Sequence, residues 1–213
     1  MVQLSTNATK KGGRTTVDYM EKINTIIENN GGVVTAKALR DNNIPTVYLS
    51  RLVDAGNLMR AARGIYINKD GDYDEYYFLN ERYKGIIFSY LSSLYLHNFT
   101  DIIPQNMEIT VYSGFNAHRI KENVDIHYVN KDLVEMGKIE VETVYGNKVR
   151  AYNMERTICD LIQNKSKVDP ELYVTTIRNY AFSKNSDINK LYKYSQKMRI
   201  TEKVRDTMEI LYG

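Results

Sequence analysis

Three arginines early in the chain, Arg51, Arg60 and Arg63, fall on neighbouring segments patterned as a helix and a hairpin. A guanidinium can fork onto the O6 and N7 edge of guanine or onto phosphate oxygens, and hydroxyls such as Thr46 and Ser50 can bond either. Tyr48 flanks the same predicted face, Lys37 and Arg40 lie on a short segment just upstream, and Lys10, Lys11 and Arg14 lie in a polar N-terminal stretch. These eleven positions are the candidate DNA-contacting set. Their chemistry is neutralisation of a phosphate backbone together with contacts to base edges.

The charge distribution points the same way. The 213 residues carry a formal net charge of +3, but residues 1–70 hold ten Lys and Arg against six Asp and Glu, and residues 71–213 hold nineteen against twenty. The positive excess therefore belongs to the N-terminal third, as expected of a segment that meets a polyanion.

The segments that must hold these side chains follow in a recognisable order. Residues 1–14 read as a flexible basic arm. A helix is expected from Thr15 or Thr16, with Asp18 three residues after Thr15 as in a capping box and Val17, Met20, Ile23 and Ile27 on its buried face. Asn29-Asn30-Gly31-Gly32 stops it, and Val33-Val34 makes a short extended stretch. Thr35 caps a short second helix through Leu39. Pro45 opens a third, since a first-turn proline lacks only an N–H that would be unpaired anyway. Leu49, Leu52 and Val53 face inward on this third helix, while Val47, Ser50, Arg51 and Asp54 face outward. Leu58-Met59-Arg60 and Ile65-Tyr66-Ile67 form two strands around an Ala61–Gly64 turn. Helix, short helix, turn, reader helix and hairpin make a winged helix-turn-helix over residues 15–70.

A polar, acidic joint at 68–76 separates this module from a C-terminal domain, 75–213. There the pattern predicts a helical region broken near Asn80-Glu81 and a long apolar helix from about Arg82 to His97. Strands follow at 108–112, 125–129, 139–145 and 148–152, the last two joined at Gly146-Asn147. Four helices close the chain, capped by Asn153, Asp169, Asp187 and Thr201. The fold class is α+β: an N-terminal winged helix-turn-helix, then a mixed α/β domain ending in helices.

Little points to catalysis. His97, His118 and His127 do not form metal-ligand spacing with Cys159, the single cysteine. There is no phosphate loop or dinucleotide turn, and Glu140 and Glu142 alternate as the wet face of a strand. No enzymatic activity, cofactor or metal is expected. One cysteine excludes an internal disulfide and fits a reducing cytoplasm. The most apolar stretch, Gly85–Leu96, is interrupted by serines and is shorter than the ~20 residues of a membrane span.

Residues 51–66, RLVDAGNLMRAARGIY, resemble the reader-helix-and-wing signature of AbiEi-type antitoxins, regulators in a viral defence system. Residues 89–101, SYLSSLYLHNFTD, followed by Ile103-Pro104, resemble the family's next block, and ERTICDL at 155–161 a third. The resemblance implies an autorepressor that binds inverted repeats in its own promoter. It also implies a C-terminal domain that counteracts a nucleotidyltransferase-like toxin of the AbiEii type without forming a stable complex with it. Two inverted half-sites require two protein copies. The alternative left open by the residues is a plain winged-helix repressor whose C-terminal domain senses a ligand or dimerises. A basic run, Lys190, Lys193, Lys197, Arg199, Lys203 and Arg205, reads as a solvated helix face.

Overall fold

A computed structural model describes residues 16–120 and 123–212. The arm at 1–14, with Lys10, Lys11 and Arg14, lies outside the described residues, as does the expected capping box around Thr15. The chain divides into two compact units, Met1–Phe78 and Leu79–Gly213.

The first unit runs α1 (Thr16–Asn29), β1 (Val33–Thr35), α2 (Ala36–Asp41), α3 (Val47–Asp54), β2 (Leu58–Ala62) and β3 (Ile65–Asn68). Its sheet is antiparallel in the order β1-β3-β2. This is the winged helix-turn-helix order. Helix α1 ends because Gly31 and Gly32 adopt φ of +53° and +77°, where a Cβ would be strained. At Gly32 the space is closed as well, since an added Cβ would lie 2.6 Å from the Asp72 carbonyl oxygen. The Thr35 hydroxyl caps α2 by accepting from Ala38 N–H at 3.0 Å. On the helix side of the sheet, Ile23, Val34, Leu39, Leu49, Leu52 and Leu58 form the core. On the other side Val33, Ile65, Ile67 and Phe78 form a smaller cluster.

Helix α4 (Glu75–Arg82) contains the boundary between the units. The second unit continues with β4 (Ile87–Phe88), α5 (Tyr90–Leu96), β5 (Met107–Tyr112), β6 (Val124–Val129), α6 (Lys131–Val134), β7 (Lys138–Glu142) and β8 (Lys148–Tyr152). Helices α7 (Met154–Gln163), α8 (Pro170–Ala181), α9 (Ile188–Met198) and α10 (Thr201–Tyr212) complete it. The sheet order is β6-β5-β4-β8-β7. Strand pairs β5–β6 and β4–β8 are parallel, and β4–β5 and β7–β8 antiparallel. Asn153, Asp169 and Asp187 cap α7, α8 and α9 through their side chains. The main core packs α7 against α5, α8, α9 and α10 around Leu94, Ile158, Leu161, Ile177, Leu191 and Val204.

One expected element is replaced. The long helix over 82–97 is instead a turn, a buried central strand and the seven-residue α5. Arg150 on β8 explains the turn. Its Nη2 donates to the carbonyls of Asn80 (2.7 Å) and Tyr83 (2.8 Å), and its Nε donates to that of Ile86 (3.1 Å). These three bonds fix the turn between α4 and β4, where the Tyr83 carbonyl also accepts from Ile86 N–H. The serines that interrupt the apolar stretch then tie α5 to the sheet. Ser93 Oγ donates to the Tyr152 carbonyl at 3.0 Å, and Ser92 Oγ accepts from Glu108 N–H at 2.8 Å. The third predicted strand also stops early, at Glu142, because Thr143–Asn147 forms the β7–β8 turn.

Candidate nucleic-acid interface

The candidate cations among the described residues are carried by three successive elements. Lys37 and Arg40 are exposed on α2, Arg51 on α3, Arg60 on β2, and Arg63 at the hairpin turn. None of the five is in an ion pair among the described residues. Their charge is therefore available to a partner. Thr46 precedes α3 and its side chain makes no capping hydrogen bond. Ser50 is exposed on the same helix.

Register fixes where Arg60 points. Arg60 pairs with Tyr66 across β2–β3, and Leu58 precedes it by two residues on the same strand. Directly opposed and alternate residues share a sheet face. Leu58 and Tyr66 both belong to the core beneath α1–α3. Arg60 thus emerges on the sheet face that α3 covers, at the exposed edge strand. Ala62 pairs with Ile65, leaving Arg63 and Gly64 as a two-residue turn. Gly64 takes φ +76°, so a side chain there would be strained.

Tyr48 departs from its expected place. The ring is 8 % exposed, packs at 5.6 Å on Tyr19 of α1, and belongs to the core. It is not an outward-facing group. The Arg51 guanidinium lies 5.1 Å from its centroid. Tyr48 therefore acts on Arg51 from below as a cation–π platform. Conversely, Val47, outside the candidate set, is 50 % exposed. It shares an outward stripe with Ser50, Arg51 and Asp54, a spacing visible in the sequence, and an apolar group there can meet a thymine methyl.

Residues 21–69, which hold this whole helix-and-hairpin arrangement, match the family model described as "Transcriptional regulator, AbiEi antitoxin". This segment is similar to the AbiEi antitoxin family. The matching description is of a transcriptional regulator of the antitoxin class, and it is carried by the helix-and-hairpin segment alone. The match includes the first of the three resembling blocks. No curated protein matches the sequence. Among solved structures, the crystal structure of the RV2827C protein from Mycobacterium tuberculosis has a similar fold at a TM-score of 0.56 and 10 % identity. That likeness covers 90 % of this chain and 76 % of the other. Among the described residues no helix is long and apolar enough to cross a membrane.

The third block, around Arg156, is buried in the second unit. Arg156 is fully inaccessible, and its Nε donates to both carboxylate oxygens of Asp160 at 3.1 Å. Its Nη1 donates to the carbonyls of Leu133 (2.6 Å) and Met136 (3.0 Å), and its Cζ lies 4.3 Å from the Tyr152 ring centroid. Burial outweighs the guanidinium and pushes the Asp160 carboxyl up to about 6. Gly137 makes room for this arginine: at φ +83°, an added Cβ would come within 2.6 Å of Arg156 Cβ. His127, weighed in the sequence only as a metal ligand, stacks on Tyr90 at 3.9 Å and donates from Nε2 to Glu108 at 3.2 Å.

Proposed function

We propose that this protein represses its own operon by binding inverted repeats in the promoter, two copies per operator, and that the unit 79–213 counteracts a nucleotidyltransferase-like toxin of the AbiEii type. In this reading α3 enters the major groove, with Arg51, Thr46, Ser50 and Val47 towards base edges. Arg60 and Arg63 carry the hairpin onto the flanking backbone, and Lys37 and Arg40 meet phosphates beside α2. Lys10, Lys11 and Arg14 extend the footprint along the duplex. Tyr48 serves by positioning Arg51. Antitoxin and toxin act in the cytoplasm without a stable complex, and the chain works without a cofactor or catalysis of its own.

The observation that carries the reading is the set of five exposed cations, none in an ion pair among the described residues, distributed over α2, α3 and the hairpin of one winged-helix unit. Gel-shift titration of Arg51→Ala and Arg63→Ala at several salt concentrations tests it. Each lost phosphate contact weakens binding and lowers the salt slope by about one. Unchanged affinity in both variants refutes the placement of the surface. The double variant expressed beside the toxin separates the two roles: repression is lost while growth rescue persists.

A further inference from the structure

We propose that the second unit holds a binding site for a phosphorylated small molecule of mononucleotide size, its phosphate taken between Arg156 and Lys167. The site is a cavity of about 440 Å³ between β6 and α7, within the ordinary size range of small-molecule pockets. Arg156 and Asp160 line its inner wall, and Tyr90, His127, Asn164 and Lys167 line the remainder.

Arg156 supplies the first reason. It is completely buried, and its Nε and Nη1 are satisfied, but its Nη2 has no hydrogen-bond partner. A buried charged donor left unpaired is costly and uncommon in native structures. Stapling Asp160 and the Leu133 and Met136 carbonyls accounts for the other nitrogens and leaves this one unexplained. The nitrogen is closed to water, so an acceptor in the cavity completes the guanidinium only as the lining side chains shift to admit it.

Charge sets the ligand's sign. Arg156 and Lys167 line the cavity against Asp160 alone, and Asp160 is engaged by Arg156. Lys167 is exposed and in no ion pair among the described residues. Two cations from different positions favour a group with several acceptor oxygens, which a phosphate provides and Arg recognises well.

Tyr90 supplies a separate reason. Its backbone is held at φ +46°, where a bulky aromatic residue is strained, and Asn164 Nδ2 donates to its hydroxyl at 2.7 Å. Such strain gathers at ligand clamps. The Tyr90–His127 pair also borders a second cleft of about 460 Å³, shared with Asn164 and Lys167 and lined further by Gln105, Asn106 and the carboxylates Glu108, Asp125 and Asp169, which suit hydroxyl and amino donors and leave the phosphate to the first cavity. Amide side chains beside stacked rings suit the polar edge of a nitrogen heterocycle, so the part of the ligand beyond its phosphate has a place to lie.

Isothermal titration of the full-length, DNA-free protein tests this, using inorganic phosphate, the four ribonucleoside 5′-monophosphates and the matching nucleosides. At least one monophosphate is expected to bind saturably with a Kd below about 1 mM, and its nucleoside at least about tenfold more weakly. Lys167→Glu, an exposed position, is expected to weaken binding at least about tenfold with an unchanged melting temperature. Arg156→Lys keeps the charge and removes the orphan nitrogen, and its folded fraction is expected to lose affinity likewise. Absence of saturable binding up to about 10 mM, equal binding of nucleoside and nucleotide, or full affinity in Lys167→Glu overturns the proposal. Because no DNA enters the titration, its failure leaves operator binding untouched.

Discussion

Arg51 rests its guanidinium over the ring of Tyr48, 5.1 Å from the centroid, and Tyr48 in turn packs on Tyr19 at 5.6 Å. The exposed cation of α3 is thereby held by an aromatic pair rooted in the core of its own unit. Replacing Tyr48 with Leu keeps an apolar filler and removes the platform. Operator affinity is expected to fall several-fold while stability falls by about 1–2 kcal/mol. Tyr48→Ala adds a cavity and is expected to cost about 3–5 kcal/mol. Urea denaturation beside gel shift separates the two effects.

Arg150 ties β8 to the turn between α4 and β4 through three carbonyls. Arg150→Met retains much of the aliphatic stem and leaves those acceptors without their donor. A loss of about 2–3 kcal/mol is expected by equilibrium denaturation. Hydrogen exchange is expected to rise most at residues 80–88.

Asp160 carries a pH signature. Its carboxyl is raised by burial to about 6 in the folded protein, above the ordinary value near 4 in an unfolded chain. The folded state therefore holds this proton more tightly, and its contribution is fully present below about pH 4. As pH rises from about 4 to about 6 that contribution is lost, a change of about 3 kcal/mol. Asp160→Asn does not titrate. Its stability relative to the wild type is expected to improve across that window, measured by urea melts at half-unit pH steps.

Cys159 is buried, and burial pushes its thiol up to about 12. Little thiolate exists at neutral pH, and reagent access is closed. The native protein is expected to resist Ellman's reagent over hours and to titrate one thiol promptly in guanidinium chloride.

Local chemistry made much of the first unit legible. Gly31-Gly32 at the end of α1 and Thr35 at the start of α2 each act within a few residues, whereas Pro45, expected in the first turn of α3, lies outside the helix, ahead of the N-cap Thr46. The inward stripe of Leu49 and Leu52 and the outward stripe of Ser50 and Arg51 follow from helical period alone. Tyr48 was misread because its neighbour Tyr19 lies far off in sequence and draws the ring inward. The same remoteness hid β4: Ile86-Ile87-Phe88 has no alternation, as expected of a buried central strand, and the arginine that fixes the preceding turn is over sixty residues downstream. The cavity beside Arg156 left no pattern at all. In the sequence Arg156 stands out only as part of the ERTICDL block, and its burial arises where residues of β6, α6 and α9 close around it.

The backbone N–H of Ala36 donates to the carbonyl of Gly64, at 2.8 Å, so the hairpin's turn also anchors the first turn of α2. Lengthening the hairpin would withdraw that acceptor and unseat the helix beside it. Insertion in the turn and displacement of α2 are thereby one event, coupled through a single backbone hydrogen bond.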